Sequence, residues 1–140
     1  MPVYQDTETL ERALSELFDR VIVDPDGLKE LSSKRMVFLL DISEPTMLLT
    51  VNGRNQPPTW SHGRTESHVN LGIHTKMDIL HQVLLKEMRL RDAFFGHKMQ
   101  VDGSLFTARR LEGLFHVLQA HYPLVLKDMQ LQLGEPDDQA

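Results

Sequence analysis

Ser67 to Thr75 is a stretch of alternating side chains. Val69, Leu71 and Ile73 point one way, and His68, Asn70, Gly72 and His74 point the other. Such alternation demands a strand with one buried and one wetter face. From Lys76 to Leu85 the spacing changes at once to three and four residues, with Met77, Leu80, Val83 and Leu84 inward. The strand therefore runs straight into an amphipathic helix. A fold containing this junction needs a sheet with one covered face and a helix that helps to cover it.

The rest of the chain supplies matching parts. Thr7 to Val23 predicts a first helix, with Leu10, Ala13, Leu14, Leu17, Phe18 and Val21 on one stripe and Asp6 or Thr7 as its cap. Asp24-Pro25-Asp26-Gly27 interrupts that pattern, and Leu28 to Leu31 adds a short helical turn. Met36 to Leu40 is a continuous apolar run before Asp41, as in a strand covered on both faces for part of its length. Thr46 to Val51 predicts a second strand. Asn52-Gly53 then predicts a tight turn at positive φ. Pro57-Pro58 places Gln56 to His62 at a sheet edge or in an irregular strand. Leu90 to Phe95 predicts a short helix stopped by Gly96. Lys98 to Asp102 gives the last strand.

From Ser104 the pattern is helical, with Leu105, Ala108, Leu111, Leu114, Phe115 and Leu118 on one stripe. Pro123 either kinks that helix or starts another. The order predicts an α+β fold with a five-stranded, mostly antiparallel sheet covered by helices on one face. Residues 1–34 form a helical segment packed on a core of residues 35–133, in one domain overall, and residues 134–140 a flexible tail.

Charge and composition narrow the function. The 140 residues carry 20 acidic against 15 basic side chains, a net charge of -5, which disfavours sequence-independent nucleic-acid binding. There is no cysteine, so disulfides, thiolate metal sites and cysteine nucleophiles are excluded. The amino terminus lacks the basic-then-apolar order of a signal peptide, and no apolar run approaches the roughly 18 residues of a membrane span. A cytoplasmic location is expected.

Two phrases then carry a resemblance. They are Val69-Asn70-Leu71-Gly72-Ile73-His74-Thr75-Lys76-Met77-Asp78 and Phe94-Phe95-Gly96-His97-Lys98-Met99-Gln100-Val101-Asp102-Gly103. In order and spacing, residues 34–121 resemble the sterol carrier protein 2 family of lipid-binding domains. The chain departs from the family pattern at His68, at Thr46-Met47 and at Leu85-Lys86-Glu87, so sterol binding in particular is not carried over. The resemblance implies non-enzymatic binding of a fatty acid, acyl-coenzyme A or sterol-like molecule between sheet and helices, with no cofactor.

The candidate lining is Phe38 and Leu40 from the first strand, Leu71 and Ile73 from the alternating strand, and Phe94, Phe95 and Met99. Leu114, Phe115 and Leu118 close the space from the last helix. The alternative is that these side chains fill a packed core, leaving an interaction or dimerisation module without a ligand. Its partners would be a second copy or an enzyme. Transient contact with a membrane surface is a further expectation. Lys86, Arg89, Arg91, Arg109 and Arg110 form a basic set, either a solvated face or an attraction for an acidic head group. Trp60 either seals the sheet edge or marks a contact surface.

Reactive chemistry finds little support. His68 and His74 share a strand face but stand about 20 Å apart, too far for one metal ion. Ser61-His62 and Ser67-His68 are adjacent in sequence and so face opposite sides. No Gly-x-Ser-x-Gly elbow occurs. No catalytic or metal-binding residue is assigned.

Overall fold

In a computed structural model, residues 4–63, 69–103 and 111–133 are described. Ser67, His68, Leu105, Ala108, Arg109, Arg110 and the tail at 134–140 lie outside them. The elements run α1 (Thr7–Val23), α2 (Pro25–Lys34), β1 (Val37–Ser43), β2 (Met47–Asn52), β3 (Thr59–His62) and β4 (Leu71–Lys76). Then come α3 (Met77–Leu84), α4 (Leu90–Phe95), β5 (Met99–Asp102) and α5 (Glu112–Leu133).

The strands form one sheet in the order β3-β2-β1-β4-β5. β1 runs parallel to β4, and the other three pairings are antiparallel. Alternation decides which residues meet the helices. Phe38, Leu40 and Ile42 of β1 join Leu49 and Val51 of β2, Leu71 and Ile73 of β4 and Met99 of β5 in the core. Leu10, Leu14, Leu17 and Phe18 of α1 and Leu114, Phe115, Leu118 and Val125 of α5 meet them there. Val37 and Leu39, on the opposite face of β1, are buried as well.

Local chemistry fixes the helix ends. The Asp6 carboxylate accepts the Thr9 amide at 2.8 Å and caps α1. Asp24 ends α1 and caps α2 by accepting the Asp26 amide at 2.9 Å. The segment expected to break the chain therefore starts a ten-residue helix. Pro25 stands in its first turn, where a missing amide hydrogen is harmless. Gly27 lets α2 close on α1, since a Cβ there would lie 2.1 Å from the Val21 carbonyl oxygen.

Two further glycines differ from expectation. Gly53 does not have a positive φ, and β2 reaches β3 through residues 53–58 rather than a two-residue turn. Its small size serves close approach, because a Cβ would come within 2.6 Å of the Leu31 carbonyl oxygen. Gly96 ends α4 at φ -83, and the left-handed residue is the next one, His97, at φ 61. Pro123 lies inside α5, which continues through it as one helix.

Trp60 seals the edge: its indole N–H donates to Asp19 of α1 at 3.0 Å, and its ring lies against Phe18. Near the same end of α1, Arg20 pairs with Asp128 of α5, and Asp24 pairs with His121 at 2.6 Å. Among the described residues, no helix is long and apolar enough to cross a membrane.

Candidate ligand-binding site

β4 and β5 place Ile73 opposite Val101 and Thr75 opposite Met99. Ile73, Met99 and Val101 thus share the helix-covered side of the sheet. α4 crosses above them. Its one fully buried residue is Ala93, whose small side chain seats the helix on the core. The Lys98 amide donates to the Ala93 carbonyl at 2.9 Å, tying α4 to the start of β5. Leu90, at the start of the helix, is partly buried and packs against the core as well.

A cavity of about 330 Å³ lies beneath. Its described lining is Ile73, Met99 and Val101 below, Leu90, Arg91, Phe94 and Phe95 from α4, and Leu111, Glu112 and Phe115 from the start of α5. The walls are aliphatic and aromatic, and the charged groups are the exposed Arg91 and Glu112. Phe95 packs against Phe94 with ring centroids 5.2 Å apart, yet is 63% exposed. It therefore marks the opening of the cavity.

Five of the ten residues expected to line a site meet here: Ile73, Phe94, Phe95, Met99 and Phe115. The others lie elsewhere. Phe38 and Leu114 border a void of about 10 Å³ beside Leu31 and Met36. Leu40, Leu71 and Leu118 are buried in the packed core. Sequence reasoning did not place Leu90, Val101, Leu111 or Glu112 in the lining. Val101 alternates with Met99 on the same strand face, and that parity was the available signal.

A second hollow of about 360 Å³ runs along α1, but its walls include Glu8, Glu11, Glu16 and Asp19. A hollow walled by carboxylates suits water rather than an apolar ligand.

Four of the described histidines, His62, His74, His81 and His121, make separate side-chain contacts. His62 meets the Ser15 hydroxyl at 3.3 Å and packs edge-on against Trp60. His81 Nδ1 lies 2.7 Å from the Tyr122 hydroxyl, which lies 2.8 Å from the Tyr4 hydroxyl. Burial lowers the His81 pKa and raises that of Tyr122, so both stay neutral. Among the described residues, no three His, Asp or Glu side chains are arranged to hold a metal ion.

His74 sits on the opposite sheet face from the cavity, between the carboxylates of Asp41 on β1 at 3.0 Å and Asp102 on β5 at 2.8 Å. Partial burial works against the charge, but Asp102 and Asp41 outweigh it and raise the pKa. The stabilisation is therefore fully present below the unfolded value of about 6.5 and is lost as pH rises through the raised folded value. His81, with its lowered pKa, contributes with the opposite sign. Comparing His74→Asn with the parent separates the two. In denaturant titrations across a pH series, the parent's advantage over the variant should shrink as pH rises. A constant advantage would refute the assignment.

Comparison with solved structures decides the architecture. A sterol carrier protein 2 from Yarrowia lipolytica, in its apo form, matches over 74% of this chain and 88% of that one, at 14% identity and a TM-score of 0.60. The sterol carrier protein domain 2 of Helicoverpa armigera matches over 76% and 84%, at 14% identity and a TM-score of 0.61. The fold is that of sterol carrier protein 2. A third sterol-carrier-like structure, the palmitated SCP2L2 from Aedes aegypti, is 21% identical over 76% of this chain and 94% of that one, with a TM-score of 0.58. No family model matches the sequence, and no curated protein matches it. At these identities the likeness is one of fold.

Proposed function

We propose that this sterol-carrier-like chain binds a fatty acid or the acyl chain of a similar lipid, without catalysis, in the cavity between β4, β5, α4 and the start of α5. The apolar cavity of about 330 Å³ carries this reading. Its size is at the low end of the roughly 300–1,000 Å³ typical of ligand pockets, which suits a slim flexible chain better than a rigid fused-ring system. The acyl chain would lie against Ile73, Phe94, Met99 and Phe115, and its polar end would face Arg91 at the opening. An arginine there offers paired donors to a carboxylate or phosphate. The palmitated mosquito structure of the same fold supports the ligand class.

Val101→Trp tests the site directly. Val101 is half-buried at the cavity wall, so a larger ring has room to enter the cavity. Excluding about three methylene groups at roughly 0.8 kcal/mol each should weaken fluorescent fatty-acid binding by roughly 50-fold. Folding, followed by circular dichroism, should persist. Unchanged affinity in a folded variant would place the ligand elsewhere.

A further inference from the structure

Two unequal spaces meet at one side chain. Among the described residues, Leu111 alone lines both the cavity of about 330 Å³ and the void of about 10 Å³. The start of α5 explains the division. Leu111 lies one helical turn ahead of Leu114 and Phe115, and its carbonyl accepts the Phe115 amide at 2.9 Å. Of the two spaces, Leu114 borders the void and Phe115 the cavity. Leu111 therefore stands between them, and it is buried. On the sheet below, Phe38 of the void pairs with Leu71, which lies two residues from Ile73 of the cavity on the same strand face. The two spaces thus lie over neighbouring strands, β1 and β4.

We infer that Leu111 is the stop that ends the cavity and sets the acyl-chain length, which makes the preferred ligand a medium-chain fatty acid. The inference rests on the fatty-acid reading and deepens it. Arg91 is exposed and Leu111 is buried, so they mark the outer and inner limits of the space. A methylene group fills roughly 30 Å³, about the share of one water in the liquid, so 330 Å³ holds about eleven carbons. A longer chain meets Leu111 and must leave its carboxylate end beyond the opening. Past Leu111 the walls are again mostly apolar, with Leu31, Met36, Phe38 and Leu114 beside Glu30. Cutting Leu111 back to alanine removes three carbons and joins the void to the cavity, which gives room for about three more methylenes.

The test is competition of saturated fatty acids, from octanoate to palmitate, against a fluorescent fatty acid on the full chain. In the parent, affinity should rise roughly fourfold per methylene up to about dodecanoate and then level, with palmitate within about threefold of dodecanoate. Leu111→Ala should move the levelling point out by about three carbons, so that palmitate binds at least roughly tenfold more tightly than dodecanoate. Leu111→Val removes one carbon and covers the case in which alanine unfolds the chain. In that variant palmitate should gain roughly fourfold on dodecanoate relative to the parent. Leu114→Ala enlarges the void without touching the partition, and should leave the levelling point where it is. Parental affinity that still climbs to palmitate would overturn the length limit. A folded Leu111 variant with the parental levelling point, or an equal shift in Leu114→Ala, would overturn the stop. No competition at any length would overturn the fatty-acid reading itself, and the stop with it.

Discussion

Replacing Leu71 by alanine should cost about 2–5 kcal/mol of folding stability, whereas Phe95→Ala should change it by no more than about 0.5 kcal/mol. Both residues are apolar and both were candidates for the ligand site. Leu71 is fully buried on β4, opposite Phe38 of β1. It also lies beneath Gly103, where a Cβ would come within 2.8 Å of the Leu71 side chain. Gly103 adopts φ 135, so the backbone there is fixed by a conformation suited to glycine and cannot readily collapse into a void. A truncation at Leu71 therefore leaves a cavity. Against a typical total of about 5–15 kcal/mol, that loss would lower the denaturation midpoint steeply. Phe95 is largely exposed, so its removal uncovers little. It should weaken fatty-acid binding instead, since Phe95 lines the cavity. Equal stability losses in chemical denaturation would contradict the division between core and site.

Tyr122→Phe should be nearly as damaging for the removal of one oxygen atom. Tyr122 is fully buried and its hydroxyl joins Tyr4, near the amino terminus, to His81 on α3. With His81 neutral, one arrangement satisfies every group: Tyr4 donates to Tyr122, and Tyr122 donates to Nδ1 of His81. Phenylalanine preserves the ring's packing but strips both neighbours of their partner. Leaving buried polar atoms unsatisfied costs about 1–3 kcal/mol. The loss should appear as a lower denaturation midpoint, with faster proteolysis near Tyr4 because that segment loses its tether to α5. A variant as stable and as protease-resistant as the parent would show that the hydroxyl chain contributes nothing.

Periodicity revealed the architecture because burial on one face leaves a repeating signature. The alternation through Leu71 and Ile73 placed β4, and the stripe from Leu114 to Leu118 placed the inward side of α5. Periodicity gives the face of an element but not what stands opposite. Phe115 and Leu118 belong to one stripe, yet Phe115 reaches the cavity and Leu118 the packed core. They differ by about 4.5 Å along the helix axis. That displacement is enough to exchange α4 as a neighbour for the other helices. Similarly, Leu71 and Ile73 share a strand face, but only Ile73 reaches the cavity. Glu112 was not recognised because a charged side chain at a cavity opening has the same local sequence as one in solvent.

Backbone signals were ambiguous for another reason. Asp24-Pro25 satisfies the rules for ending one helix and for starting the next, and here it does both. Gly53 is required by the proximity of Leu31, a contact made across the fold and absent from its neighbours in sequence. The same limitation applies to the His74 cluster, whose carboxylates come from β1 and β5.

The most direct test of the central claim is a palmitate titration followed by nuclear magnetic resonance of the methionine and isoleucine methyl groups. The account predicts saturable shifts at Ile73 and Met99, both on the cavity wall. Ile42 on β1 and Met47 on β2, both buried and outside the cavity lining, should respond less. No saturable shift at Ile73 and Met99, or a larger response at Ile42 and Met47, would contradict it.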